Sequence, residues 1–155
     1  MALRPDKTSC KVSKGLPPRP DAVTFARTIL RDDIDKHRQF PASRSPVFYD
    51  RGVPDALYML DATSNLPRAM AVSHVAKYPY NRTGFILPPW EAIYSKDTER
   101  DQTFREALDV YAGMKRWYAM WGYALVEVPK TDVERRADFI VNTACQRIRQ
   151  SPRER

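Results

Sequence analysis

Residues 47–55 (VFYDRGVPD) place two carboxylates and a guanidinium, Asp50, Arg51 and Asp55, in a short span behind an apolar and aromatic run. A carboxylate at the end of a buried strand can hold a divalent cation, directly or through water, or take a proton. An arginine beside it suits an anion. A plainer account is open for each. Asp50 suits a strand-end turn, and Asp55 favours the first turn of a helix starting at Pro54. Elsewhere the reactive residue types are scattered. His37 and His74 have no partners at ligand spacing, and Ser43, Ser45 and Ser64 sit in no nucleophile motif. Cys10 and Cys145 lie far apart, so reduced thiols are expected. Asp32, Asp33 and Asp35 alternate with Arg31, Lys36 and Arg38, which reads as a solvated, ion-paired helix face.

The elements that must position these residues follow from hydrophobic spacing. A helix is predicted from Asp21, its N-cap, with Val23, Ala26, Leu30 and Ile34 on one face and a stop before Pro41. A buried strand is predicted at 47–50, a helix opening at Pro54 through 56–60, a loop at 61–67 and a short helix at 68–77. A second strand at 84–87 is closed by Pro88 and Pro89. A long helix at 98–121 carries the stripe Phe104, Leu108, Tyr111, Met114, Tyr118 and Trp121, with Gly122 just beyond its end. A third strand at 124–128 stops at Pro129. A capping box from Thr131 to Glu134 then opens a last helix through Ile148. Short apolar strands alternating with helices imply an α/β fold with a parallel sheet flanked by helices.

The chain has 155 residues and a formal net charge of +7. The excess sits at the ends, in residues 1–20 and 146–155; a basic, proline-rich leader at 1–20 and a basic tail at 150–155 bracket a domain at 21–149. Residues 21–145 balance at zero, which argues against a specific nucleic-acid partner. No run reaches the roughly 18 apolar residues of a membrane helix, and residues 1–20 lack a secretory signal pattern, so a cytoplasmic location is expected.

Three segments carry a resemblance: VFYDRGVPDALYML at 47–60, YNRTGFILPPWEAIYSKDTERDQTFREA at 80–107 and GYALVEVPKTDVERRADFI at 122–140. In order and separation they resemble the NadR-like AAA domain family, a branch of P-loop NTPases related to small-molecule kinases. The resemblance covers about 24–145. It implies ATP with Mg²⁺ as cofactors and either ATP hydrolysis or phosphoryl transfer to a small molecule. It further implies that Asp50 is the Walker-B-type acid that meets Mg²⁺, that Arg51 and Arg100 act at the phosphates, and that Asp55 and Arg82 bind substrate. Arg100 falls where related kinases carry a mobile lid. Without the family, Arg100 would be assigned to pairing with Asp97, Glu99 or Asp101.

One departure matters. A phosphate-binding loop needs G-x-x-x-x-G-K-[ST], and the five glycines here, Gly15, Gly52, Gly84, Gly113 and Gly122, form no such pattern. There is also no room before Val23 for the family's first strands. The expected fold is therefore an incomplete P-loop NTPase-like sheet belonging to a truncated product. As given, the chain should bind ATP poorly and turn it over weakly or not at all. The alternative is a non-enzymatic remnant or interaction module of the same fold, self-associating through exposed sheet surface.

Overall fold

The computed structural model describes residues 21–40, 46–94 and 103–150. The leader, residues 151–155 of the tail and Arg100 lie outside the described residues. The first helix, α1 (Ala22–Gln39), starts where predicted, because the Asp21 carboxylate accepts from the backbone N–H groups of Val23 and Thr24. Next come α2 (Val53–Ser64) and α3 (Arg68–Lys77). Strand β1 (Thr83–Ile86), a single 3₁₀ turn at Glu91–Ile93, α4 (Phe104–Met120), β2 (Ala124–Glu127) and α5 (Val133–Gln150) complete the order.

α2 is longer than its composition suggests. The Thr63 and Ser64 hydroxyls bond back to the carbonyls of Met59 and Leu60, and only Asn65, left-handed at φ 55°, ends the helix. α4 is fixed at its start by reciprocal capping between Thr103 and Glu106. At its end the chain turns through Gly122, whose φ of 76° a side chain would resist. Among the described residues, no helix is long and apolar enough to cross a membrane.

β1 and β2 pair in parallel, with Thr83 opposite Ala124 and Ile86 opposite Glu127. They are the two strands of the described sheet and correspond to the predicted strands at 84–87 and 124–128; the predicted strand at 47–50 is not part of it. Residues 47–50 run as irregular chain with Val47, Phe48 and Asp50 exposed, and the expectation of a buried strand there is corrected. The reason is that a strand must pair to satisfy its backbone groups, and no described strand lies alongside this one.

The core lies between helices rather than on the sheet. Ala26 and Leu30 of α1 meet Val53, Ala56, Leu57 and Leu60 of α2, closed by Tyr78 and by Trp117 of α4. The acidic run of α1 divides across this boundary. Asp32 and Asp35 pair with Arg31 and Arg38 on the outside, as expected. Asp33 is 3% exposed and turns inward, which corrects the reading of all three as solvated. Its Oδ1 meets Lys36 at 3.3 Å, while its buried Oδ2 has no partner among the described residues.

Candidate functional site

The turn that carries Asp50 and Arg51 is held from several sides. Arg51 sits at φ 68°, a left-handed conformation that costs a non-glycine residue energy and persists where the surroundings enforce it. Gly52 follows fully extended, against the ring of Tyr80: a Cβ added there would stand 2.9 Å from the phenol. The Tyr80 hydroxyl accepts from the Val53 N–H at 3.2 Å, and the Gly52 N–H donates to Asp55 Oδ2 at 3.0 Å. From α4, the Tyr118 hydroxyl donates to the same Oδ2 at 2.6 Å, and Trp117 Nε1 donates to the Pro54 carbonyl at 2.9 Å. Two adjacent residues of α4 thus clamp the start of α2.

Asp55 is a structural acid in this arrangement. Its Oδ2 caps α2 and receives Tyr118, which favours the helix-start account over contact with substrate hydroxyls. Burial raises its carboxyl above the ordinary 3.8, outweighing the lowering effect of the Tyr118 and Gly52 hydrogen bonds and of Arg51. Burial also pushes the Tyr80 hydroxyl up to about 12 and raises Tyr118 well beyond the usual phenol value.

A consequence for stability follows. Because the folded carboxyl holds its proton more tightly than the unfolded one, stability should fall as pH rises from about 4 toward the raised value. Asp55→Asn keeps an acceptor for both donors without a buried charge, so it should flatten that slope and cost under about 1 kcal/mol. Asp55→Ala strands both donors and should cost about 2–3 kcal/mol. Urea melts of the three proteins between pH 4 and 8 check both expectations.

Asp50 and Arg51 are exposed at the rim of a broad cleft of about 1180 Å³. It is lined by the 46–52 segment with Tyr80 and Tyr118, and by residues of β1 and α5. The α4 stripe picked out by sequence explains its own position here. Tyr111, Met114 and Tyr118 line the cleft, whereas the buried residues of α4 are Gly113 and Trp117. The helix serves the core with one face and the cleft with another.

The predicted site residues divide accordingly. Asp50, Arg51 and Asp55 come together at the cleft. Arg82 does not join them: its guanidinium donates to the Trp121 carbonyl at 2.9 Å, at the end of α4, and lies 5.3 Å from the centre of the Tyr123 ring. Sequence reasoning missed Tyr80, Trp117 and His37. His37 lines the cleft and packs on the rings of Tyr49, Tyr78 and Tyr80. Its Nε2 lies 2.9 Å from the Pro79 carbonyl, and since a carbonyl only accepts, Nε2 carries the proton. The aromatic run at 78–80 was the available signal.

The described residues contain no group of three or more potential metal ligands. A single exposed carboxylate such as Asp50 would meet a divalent cation only as one ligand among several supplied from outside the chain.

A family model described as AAA domain matches residues 7–136 of the chain. Comparison with curated proteins and with solved structures gave no match.

Proposed function

The chain belongs to that AAA-domain family, and from this premise we propose that its cleft binds a nucleoside triphosphate with Mg²⁺. In this reading Asp50 holds the ion and Arg51 faces the phosphates. The NadR-like branch supplies the finer expectation, a reaction at the γ-phosphate with water or a small-molecule hydroxyl as acceptor, in a cytoplasmic protein. Arg100 is proposed as the lid arginine at the transferring phosphoryl group. The observation that carries the reading is the Asp50–Arg51 turn: Tyr80, Asp55, Trp117 and Tyr118 maintain a left-handed arginine and keep an acid and a cation exposed at the cleft. A turn needed only to reverse the chain would relax to glycine or asparagine there.

The sequence has no G-x-x-x-x-G-K-[ST] to wrap the phosphates, so positioning is weak and turnover by these 155 residues is expected to be negligible. The check is a phosphate-release assay with MgATP. Release within about tenfold of typical enzyme turnover, roughly 10 per second, and lost in Asp50→Asn, would contradict it.

A second reading, a non-enzymatic interaction module, is favoured by one observation. Phe48, Leu87 and Ile93 are 55%, 58% and 60% exposed around the same cleft. Light scattering across a concentration series separates the two, since self-association through this surface should grow with concentration.

A further inference from the structure

The part of the cleft lined by α5 and the residues just ahead of it has a chemistry of its own. Arg136, on α5, has its Nε buried with no hydrogen-bond partner among the described residues. A buried guanidinium donor left unmatched is costly, and native structures rarely keep one without an acceptor arriving from elsewhere. Lys130, just ahead of α5, and Arg147, eleven residues along it, line the same cleft. Eleven residues are about three helical turns, so Arg136 and Arg147 share one face, about 16 Å apart along the axis. α5 packs against β1.

None of the three cations is within ion-pair distance of a carboxylate among the described residues. The neighbouring Arg135 behaves differently. It pairs with Asp132 at 3.4 Å, is highly exposed, and does not line the cleft. Among the described lining residues, Arg51, Lys130, Arg136 and Arg147 stand against two carboxylates, Asp50 and Asp55. Asp55 is already engaged by Tyr118 and Gly52.

We propose that the α5 wall, Lys130, Arg136 and Arg147, is an anion-binding surface for a phosphate chain, using side-chain guanidinium and ammonium groups where a backbone cradle is lacking. Arginine suits this role because its fixed fork of donors matches phosphate oxygens in pairs. Arg136 is the partly buried member of the three, while Lys130 and Arg147 are exposed. This inference rests on the nucleotide reading only for the choice of a phosphate chain as ligand.

The test is calorimetric titration of the full chain with inorganic tripolyphosphate, without nucleoside or Mg²⁺, at fixed ionic strength. Arg136→Gln should weaken binding about tenfold, and Arg147→Gln, at an exposed position, about threefold. Arg135→Gln removes the same charge one residue away and should change affinity less than twofold. Equal losses in all three variants would overturn the proposal, because binding would then be general attraction to a basic chain. No measurable binding by the wild type would overturn it too. If Arg136→Gln fails to fold, the contrast between Arg147→Gln and Arg135→Gln decides by the same rule. With no Mg²⁺ or nucleoside present, failure here leaves the role of Asp50 standing, and failure of MgATP binding leaves this result standing.

Discussion

Replacing Trp117 with alanine should cost about 3–5 kcal/mol of folding stability, the range for a large aromatic removed from a core. Trp117 is 7% exposed and sits where α1, α2 and α4 converge. Its ring meets Tyr58 and Trp121 edge-on, with centroids 5.9 and 5.6 Å away, in the geometry aromatic pairs prefer. Its indole N–H holds the Pro54 carbonyl in the first turn of α2. A domain of this size is stable by about 5–15 kcal/mol in total, so the loss is a large share of the whole. Trp117→Phe keeps most of the buried ring and gives up the hydrogen bond, and should cost about 1–2 kcal/mol. Urea midpoints of the two variants separate the packing contribution from the polar one. Comparable costs for both would mean that the indole N–H, and not the bulk, anchors α2.

The effect should reach the cleft as well. Trp117 and Tyr118 are adjacent on α4 and hold successive parts of the Pro54–Asp55 pair. Loosening α2 releases the Gly52 and Val53 amides that keep Arg51 left-handed. A Trp117→Phe protein that still folds should therefore lose affinity for any ligand that depends on Asp50 and Arg51.

Much of the helical layer was legible because its signals are local. Asp21 as N-cap, the spacing from Val23 to Ile34, the limits of α3 and the reversal at Gly122 each depend on residues within a few positions of one another. What failed depended on distant partners. Residues 47–50 have the apolar composition of a strand, yet strand formation needs a neighbour, and none of the described strands lies beside them. Asp33 looks identical to Asp32 and Asp35 in sequence. Only the placement of α2 against α1 decides which of the three is buried. Arg82 satisfies a family pattern by position, but its guanidinium meets a carbonyl 39 residues away at the end of α4.

The site was legible in part for the same reason. Asp50, Arg51 and Asp55 are neighbours in sequence and remain neighbours in space. Tyr80, Trp117 and Tyr118, which hold them, come from segments 25 or more positions removed. Tyr118 was visible as part of an apolar stripe, but nothing local indicated that its hydroxyl would meet Asp55. The placement of Lys130 and Arg136 was obscured by the even balance of charges over 21–145, and Arg147 lies beyond that stretch; a net charge carries no information about where the charges point.

The central claim is that Asp50 brings Mg²⁺ and a nucleoside triphosphate into this cleft, and one measurement addresses it directly. Titrating the full chain with ATP, with and without Mg²⁺, in wild type and Asp50→Asn isolates the ion's contribution. The wild type should bind MgATP at least about tenfold more tightly than free ATP, equivalent to about 1.4 kcal/mol. Asp50→Asn should lose that gain and bind the two forms alike. An equal Mg²⁺ gain in Asp50→Asn, or no Mg²⁺ gain in the wild type, would contradict the assignment of Asp50.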